Sequence, residues 1–453
     1  MLRFVLLCAV FFVRLPAADE QWFVGTLSGQ PLVTLHQESH PLPDGNRQTM
    51  CEMLMVIRRS LPGQPEFRME LRETQILQER ADGVISSFRF DHDENGSVTT
   101  ASGTVSQEAV TGVLSRLGRT TPFELPVAKG VQLLGDRASQ VLLAKSGLTP
   151  GVSLTFSSLG LISNQVAIIT STATSRGIKN GFLQFDVVPD IMPVPMQMRV
   201  SPEGVLIGMT MNLGLMVLDL QPSAGPVALL GAELPPTGLV KAAGPAPAMA
   251  AQNRLQIPPG VALPVDPFQS EEANVVTVVA LAMRSPIDAA QRVAYLAPSA
   301  QLELDDPQLR AWAIANAGDG TTAERAERLR LAVRSHITIK DLTKGDGSAL
   351  ETFRSKRGDC TEHATLLAAA LRIAGIPARI QVGLVYAADY GGWVGHAWNQ
   401  AYVDGCWTHL DSAYPGISRS RYLGLGFADG LQTGAALMVQ LNRFLGQTIT
   451  VVP

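Results

Sequence analysis

The stretch SKRGDCTEHATLLAAALRIAGIPAR, residues 355–379, sets the fold expected for the second half of the chain. A tight turn, Arg357-Gly358-Asp359, precedes Cys360, and Gly375 with Pro377 ends the run of helix formers that follows. Apolar residues recur after Cys360 at steps of four, three, four and three, namely Ala364, Leu367, Leu371 and Ala374. This period predicts a buried helix with Cys360 on its first turn. The unpaired N–H groups and the positive dipole end there favour a thiolate, although many cysteines at helix starts are inert.

A second stretch, GGWVGHAWNQAYVDGCWTHLDSAYP (residues 391–415), predicts a β-hairpin. Asp404-Gly405 is a strong two-residue turn signal with strand-like sequence on both sides. If these two residues form the turn, Val403 faces Cys406, and Trp398 faces Asp411.

The hairpin register brings a histidine close to a carboxylate. His396 lies two residues before Trp398 and projects from the same face as Asp411. Such diagonal neighbours are roughly 7 Å apart at the backbone, within reach of an imidazole–carboxylate hydrogen bond. A thiolate from Cys360 at the other imidazole nitrogen would complete a Cys-His-Asp triad.

These two stretches, read together, resemble the core of the transglutaminase-like superfamily, which has a papain-like cysteine fold. Three blocks match in order: GDC with its helix and GIPAR, the GHAW strand, and the hairpin VDG with its following Trp and Asp. The resemblance covers about residues 304–415. It implies that Cys360 is the nucleophile, His396 the general base and Asp411 the group that orients it.

The chemistry that the resemblance implies is attack of the thiolate on a carboxamide or peptide carbonyl, giving a thioester and releasing an amine. Water would then make the protein a hydrolase or deamidase, and an amine would make it a crosslinking enzyme. Trp398 and Trp393 are candidates to line the substrate cleft, with core packing as the alternative for each. Trp398 is the better candidate because it shares the face of His396.

The fold class expected is α+β, with an antiparallel β-rich domain at 19–222 and a papain-like, transglutaminase-like domain at 304–453. In PEFRMELRET, residues 65–74, apolar and charged residues alternate with the period of a half-buried strand. Turn signals such as Asn95-Gly96 recur around it, which favours an antiparallel meander in one large sheet. Residues 223–262 are rich in Pro, Ala and Gly and predict a linker or an extended crossover. Residues 263–303 predict a strand-rich connecting segment.

The first 18 residues have the pattern of a secretory signal peptide. Arg3 is followed by the apolar run Phe4 to Val13, and Pro16-Ala17-Ala18 offers small residues for cleavage. A short membrane anchor is the alternative, although the run is short for a bilayer. We therefore expect a secreted or periplasmic protein without stable membrane insertion after cleavage. The leader together with a β-rich first domain also resembles exported bacterial members of the superfamily.

The composition of the chain limits the classes of partner that we expect it to bind. The chain has 453 residues, of which 46% are hydrophobic and 17% charged, with a formal net charge of -4. This is the composition of a globular protein of two or three domains. Lys and Arg are scattered along the chain, which argues against a nucleic-acid partner. We expect a protein or peptide substrate and no cofactor, and the oligomeric state stays open.

Three cysteines, Cys51, Cys360 and Cys406, remain once the leader with Cys8 is removed. An odd number in an oxidising compartment predicts at least one free thiol. A disulfide between Cys51 and Cys406 is one alternative, and unpaired buried thiols are the other.

Two metal sites are weighed against simpler interpretations. DHDENGSVT, residues 91–99, has the first offsets of a calcium loop, but Ser102 stands where the bidentate Glu is expected, so we favour a hairpin turn. Cys360 with His363, and Cys406 with His409, have zinc-like spacing. The triad explains Cys360 without a metal, so no metal site is expected, and the two additional histidines are interpreted as packing or surface residues.

Two functions of different class follow. The first is a cysteine enzyme that acts on amides of proteins or peptides in the cell envelope. The second is a catalytically silent papain-like module that only binds. The three residue types of the triad favour the enzyme, because binding requires neither His396 nor Asp411 beside a thiol at a helix start.

Overall fold

A computed structural model describes residues 20–59, 66–146, 149–162, 164–191, 195–212, 217–233, 240–261, 263–342, 347–414, 416–428, 441, 444 and 446–452. The predicted leader, residues 1–18, lies outside the described residues. The chain divides into two units, residues 1–235 and residues 236–453.

The first unit is built on a 15-stranded sheet. Its elements are β1 (Glu20–Leu27), β2 (Gln30–Pro41), β3 (Arg47–Arg59), β4 (Phe67–Glu79), β5 (Ile85–Glu94), β6 (Ser97–Val105), β7 (Ala109–Arg116), β8 (Arg119–Pro126), α1 (Asp136–Ser146), β9 (Ser153–Ile162), β10 (Gln165–Lys179), β11 (Phe182–Pro189), β12 (Met196–Val200), β13 (Leu206–Asn212), β14 (Val217–Ser223) and β15 (Ala232–Glu233). The strand order is β8-β7-β6-β5-β4-β3-β2-β1-β14-β13-β12-β11-β10-β9, and β15 joins β3 in parallel.

Buried apolar and exposed charged side chains alternate along a strand of this sheet, as the sequence predicts. In β4, Met69 and Leu71 are buried, whereas Arg68 and Arg72 are exposed. Strands β5 and β6 pair out to their turn at Asn95-Gly96, where both residues have the positive φ of a type I′ turn. The antiparallel β-rich domain is therefore confirmed, and the hairpin at 91–99 takes the place of the calcium loop.

The second unit combines helices with a 9-stranded sheet. Its elements are β16 (Val240–Ala243), β17 (Gln252–Gln256), β18 (Gln269–Glu272), β19 (Val275–Val279), α2 (Ala289–Ala294), α3 (Pro307–Ala317), α4 (Thr322–His336), β20 (Ile339–Lys340), α5 (Ala349–Ser355), β21 (Arg357–Gly358), α6 (Cys360–Ile373), β22 (Ala378–Ala387), β23 (Gly392–Val403), β24 (Cys406–Leu410), β25 (Tyr422–Phe427) and β26 (Thr448–Val452), with 3₁₀ turns at Ala388–Tyr390 and Arg419–Arg421. The strand order is β18-β19-β17-β26-β16-β23-β22-β25, with β24 beside β23, and β20 pairs separately with β21. This is the α+β class expected for this part of the chain.

The segment expected as a linker, residues 223–262, contributes strands to both sheets. β15 belongs to the first sheet, and β16 and β17 belong to the second. These strands have two to five residues each and are separated by Pro- and Gly-rich stretches. Such short strands leave no readable period in the sequence, because a period needs several alternations to stand out.

Helix α6 is the centre of the second unit. It packs against α3, α4 and α5 on one side and against β22 and β23 on the other. The predicted apolar face is buried, but so are Leu366, Ala368 and Ala370, which lie outside that face. The sequence predicted one apolar face, and the structure buries residues around most of the helix because the helix lies between two layers.

A side chain closes one edge of the second sheet. The amide of Gln269 donates to the carbonyl of Gly424 and accepts from its N–H, both at 2.9 Å. The side chain thus forms the pair of hydrogen bonds that a neighbouring strand would form with Gly424 in β25.

Within the described part of the chain, the helices lack the combination of length and apolar character that crossing a membrane requires.

Candidate active site

Cys360 is the first residue of α6, where the sequence placed it, and its side chain is half-buried. The Asp359 side chain accepts the N–H of Thr361 at 2.8 Å, and the Glu362 side chain accepts the N–H of Asp359 at 2.9 Å. This reciprocal capping box fixes the direction in which α6 starts and therefore where the thiol points. Glu362 is fully buried and also accepts the N–H of Gly347 at 3.1 Å.

Gly358 leaves no room for a side chain beside this cap. An added Cβ would lie 2.3 Å from the Cβ of Glu362, far inside van der Waals contact. Gly358→Ala is therefore expected to lower the free energy of unfolding by about 1–3 kcal/mol, since the cap must move. Urea unfolding measures this change. Gly395→Ala is the control, because its new Cβ meets no atom within 4 Å. Equal stability of the two variants would contradict the packing argument.

The hairpin forms in the predicted register. Val403 pairs with Cys406, and the ladder continues to Asn399 and Leu410. Asp404 and Gly405 have φ values of 49° and 85°, the left-handed turn that this hairpin requires.

This register brings His396 to Asp411. His396 Nε2 lies 2.7 Å from Oδ2 of Asp411, and the two side chains are 6% and 5% exposed. Asp411 Oδ1 accepts the N–H groups of Ala413 at 2.8 Å and of Tyr414 at 2.9 Å. Burial alone would raise the pKa of Asp411, but the His396 charge and these hydrogen bonds lower it to about 2. The carboxylate is therefore ionised over the physiological pH range.

The Cys360 side chain is a neighbour of His396 and contributes to its pKa. Burial alone would lower the pKa of His396, but the Asp411 carboxylate and the contact with Cys360 raise it to about 10. The imidazole is thus protonated at neutral pH. Because Nε2 faces Asp411, Nδ1 is the nitrogen left for the thiol. His396 and Asp411 are thus in direct contact, and Cys360 is a neighbour of His396.

The two tryptophans differ from expectation. Trp398 and Trp393 are both fully buried, so neither presents a surface to an open cleft in this structure. The Trp398 ring stacks against His396 with centroids 6.1 Å apart, whereas the Trp393 ring packs edge-on against Tyr386. Their large rings complete the core, the alternative weighed for each of them. Trp398 supports the His396 imidazole from within the sheet.

Sequence reasoning missed Tyr422, Arg419 and Asn399. The hydroxyl of Tyr422 donates to Oδ2 of Asp411 at 2.8 Å. The Arg419 guanidinium is buried over the Trp398 and Tyr422 rings, and the Asn399 amide donates to the carbonyl of Ala364 at 2.9 Å. Tyr422 and Arg419 follow the recognisable motif, and no spacing relates them to it. Only the pairing of β25 with β22 brings Tyr422 to the site.

The cysteines are free thiols. Cys51 is buried, Cys360 is half-buried and Cys406 is exposed, and none of the three forms a disulfide within the described part of the chain. This structure therefore has the alternative of unpaired thiols, buried for Cys51 but not for Cys406.

The histidines of the two zinc-like pairs contact other side chains. His363 Nδ1 lies 3.3 Å from the hydroxyl of Ser412, and the His409 ring packs against Tyr422 with centroids 4.6 Å apart. Among the residues that the structure describes, one group of metal-ligating side chains gathers within 4.8 Å, namely Glu20, His36 and Glu38 of the first unit. His36 Nε2 lies 3.0 Å from Glu20 and Nδ1 lies 3.2 Å from Glu52, so both ring nitrogens already have a carboxylate partner.

His363 and His409 make the second unit sensitive to acid. Burial and the nearby Arg419 charge lower the pKa of His409 to about 3, and burial lowers that of His363 to about 4. In the unfolded chain both titrate near 6.5. Below about pH 6.5 the unfolded chain therefore binds protons that the folded chain does not. Their contribution to stability is complete above pH 6.5 and is lost as the pH falls through 4 and 3.

His409→Phe is expected to reduce this loss, because the phenyl ring keeps the aromatic packing and does not titrate. The melting temperature should fall less between pH 6.5 and 4 in the variant than in the wild type. The raised pKa of His396 acts at the opposite end, where its stabilisation is lost as the pH rises from about 6.5 towards about 10. Melting curves from pH 4 to pH 10 measure both effects, and an unchanged acid limb in the variant would contradict the assignment.

Comparison with known proteins agrees with the resemblance found in the sequence. A family model described as the transglutaminase-like superfamily matches residues 310–412, which confirms that resemblance over this region. No curated protein matches the chain.

Three solved structures are similar to parts of the chain. A candidate cysteine protease from Cytophaga hutchinsonii is 15% identical, covers 42% of this chain and 78% of that one, and has a TM-score of 0.29. A protein of a domain family of unknown function from Brucella abortus is 15% identical, covers 45% and 95%, and has a TM-score of 0.33. A candidate protease from Parabacteroides distasonis is 14% identical, covers 76% and 69%, and has a TM-score of 0.22. At these TM-scores the likenesses carry no argument about function.

Proposed function

We propose that this chain, which carries a transglutaminase-like core over residues 310–412, is an exported cysteine enzyme that transfers the acyl group of a carboxamide or peptide bond. The observation that carries the proposal is one imidazole with two partners. His396 lies 2.7 Å from Asp411, and the neighbouring Cys360 side chain contributes to the raised pKa of the same imidazole. A thiol that only fills a core needs neither a protonated imidazole nor a buried carboxylate behind it.

The first half-reaction uses the imidazolium of His396 beside the Cys360 thiol. An imidazolium beside the thiol favours the thiolate, and the thiolate sulfur attacks the carbonyl carbon of the substrate. The tetrahedral oxyanion is stabilised by the N–H of Cys360, which lies at the first position of α6, where helix N–H groups have no intrahelical partner. The C–N bond then breaks, the imidazolium proton passes to the leaving nitrogen, and ammonia or an amine departs. The product is a thioester on Cys360.

The second half-reaction restores the thiol. His396, now neutral, takes a proton from water or from an incoming amine, which attacks the thioester carbon. The C–S bond breaks and the proton returns to the Cys360–His396 pair. Water gives a deamidase or a peptidase, and an amine gives a crosslink. Asp411 keeps the imidazole oriented during both steps, since two backbone N–H groups hold its carboxylate.

The predicted leader suggests where the substrate lies. A secretory signal over residues 1–18 would deliver the enzyme to the periplasm or the exterior, where proteins and peptides of the cell envelope are available. Fractionation of cells that express the full chain tests this location, and recovery of the uncleaved chain with the cytoplasmic proteins would contradict it.

The activity is tested with a glutamine-rich protein and a fluorescent primary amine. Three products are measured together: ammonia release, covalent incorporation of the amine and new peptide termini. Cys360→Ala is the control. At least one product is expected from the wild type and none from the variant. If neither protein forms a product while the wild type binds the substrate, the silent binding module replaces the enzyme as the better interpretation.

A further inference from the structure

We infer that Tyr422 is a positioning residue, whose hydroxyl fixes the Asp411 oxygen that faces His396. The inference rests on the proposed function, because it concerns the same triad. Tyr422 donates to Oδ2 of Asp411 at 2.8 Å, and this is the oxygen that lies 2.7 Å from Nε2 of His396. Tyr422 thus acts on the same atom as the catalytic imidazole.

The other oxygen of the carboxylate explains why a second donor matters. Oδ1 accepts two backbone N–H groups, from Ala413 and Tyr414, and both belong to the segment that follows Asp411 itself. A carboxylate held only through Oδ1 can still turn and carry Oδ2 out of line with Nε2. The hydroxyl of Tyr422 comes from β25, across the sheet, and removes this freedom.

Tyr422 is itself held firmly. Its side chain is fully buried, and its ring packs edge-on against Trp398 at 5.1 Å and against His409 at 4.6 Å. Its backbone pairs with Val385 of β22, and its carbonyl accepts the guanidinium of Arg419 at 2.6 Å. A hydroxyl on so constrained a ring has little rotational freedom to lose when it binds Asp411.

The hydroxyl acts as a donor throughout the working pH range. Burial and the adjacent Asp411 carboxylate raise the pKa of Tyr422 far above its ordinary value, so the proton stays on the phenol oxygen. Other charged or titratable groups also face Asp411, from several elements: His396 of β23, His409 of β24, Arg330 of α4 and His363 of α6. Among the groups around Asp411, Tyr422 offers a clean test. Its replacement by Phe removes a single oxygen atom and keeps the packing of the ring.

The test is the pH profile of Cys360 alkylation in the full chain. Cys8→Ser, Cys51→Ser and Cys406→Ser are built into every protein so that one thiol reports. Tyr422→Phe is expected to slow the reaction with iodoacetamide at pH 6 by about three- to tenfold and to move the rise of the profile to higher pH. Tyr386→Phe is the matched control. Tyr386 is also a buried tyrosine of this sheet, but its ring packs against Trp393 and not against the triad.

A double-mutant comparison separates positioning from packing. In an Asp411→Asn background, Tyr422→Phe should change the rate by less than about twofold, since the hydroxyl acts through that carboxylate. A wild-type pH profile in Tyr422→Phe, even with a lower melting temperature, would overturn the inference and leave the proposed function intact. So would an equal loss in both backgrounds. An unreactive Cys360 in the wild type would overturn the proposed function and the inference together.

Discussion

His396→Ala is expected to slow the alkylation of Cys360 by iodoacetamide at pH 6 by about tenfold or more. An unassisted thiol is ionised to only about 0.3% at this pH, because its ordinary pKa is near 8.5. The imidazolium that His396 provides, with a pKa raised to about 10, is the group that would keep the thiolate populated. A stabilised thiolate is a weaker nucleophile, which makes the expected loss smaller than the change in the ionised fraction.

The pH dependence of the alkylation rate should differ between the wild type and the variant. In the wild type, the rate should already be high in mildly acidic solution and change little until His396 loses its proton near pH 10. In the variant, the rate should rise steeply between about pH 7 and 9, as for a free thiol. Far-ultraviolet circular dichroism checks that the variant is folded, since the change leaves the buried Asp411 carboxylate without its main partner. Parallel profiles for the two proteins would mean that the triad is not assembled in solution.

Asp411→Asn is expected to reduce turnover by about 10⁴-fold, the scale of the same replacement in a Ser-His-Asp triad. The side-chain oxygen of asparagine can still accept the N–H groups of Ala413 and Tyr414. Its NH₂ group would then face His396 and Tyr422, and it can only donate. His396 must respond by accepting at Nε2, which places its proton on Nδ1 and turns that N–H towards Cys360. The imidazole can then no longer take the thiol proton.

A second aspartate controls for the chemistry of this replacement. Asp306 is buried and caps the start of α3, where asparagine is an equally good cap. Asp306→Asn keeps the cap but removes the carboxylate that lies 3.2 Å from the Arg354 guanidinium, so turnover should stay close to the wild type while the melting temperature falls slightly. Comparable turnover in Asp411→Asn and Asp306→Asn would show that the imidazole does not depend on its carboxylate.

The helix start at Cys360 and the contact of His396 with Asp411 were predictable from the sequence because their determinants are local. The capped turn before Cys360, the helix that follows and the Asp404-Gly405 hairpin each depend on a few adjacent residues. The hairpin register alone relates His396 to Asp411, since opposed positions follow from the turn.

The remaining features depend on long-range pairing, which a single sequence does not encode locally. Tyr422 reaches Asp411 only because β25 lies beside β22. Residues 240–243 look like part of a linker, yet they form a strand between β26 and β23, because hydrogen bonding to neighbours compensates for a weak local preference. The full burial of Trp398 likewise results from packing between layers, which the hairpin pattern cannot reveal.

The hydrogen bonds of Gln269 affect whether the outer strand β25 can pair with a strand of another molecule. A bare outer strand is a template onto which the extended backbone of another molecule can add. At Gly424, the side-chain amide already occupies both the donor and the acceptor that such an addition would use. Gln269 therefore blocks the addition of another strand at Gly424, and it does so without a charge or a proline on β25 itself.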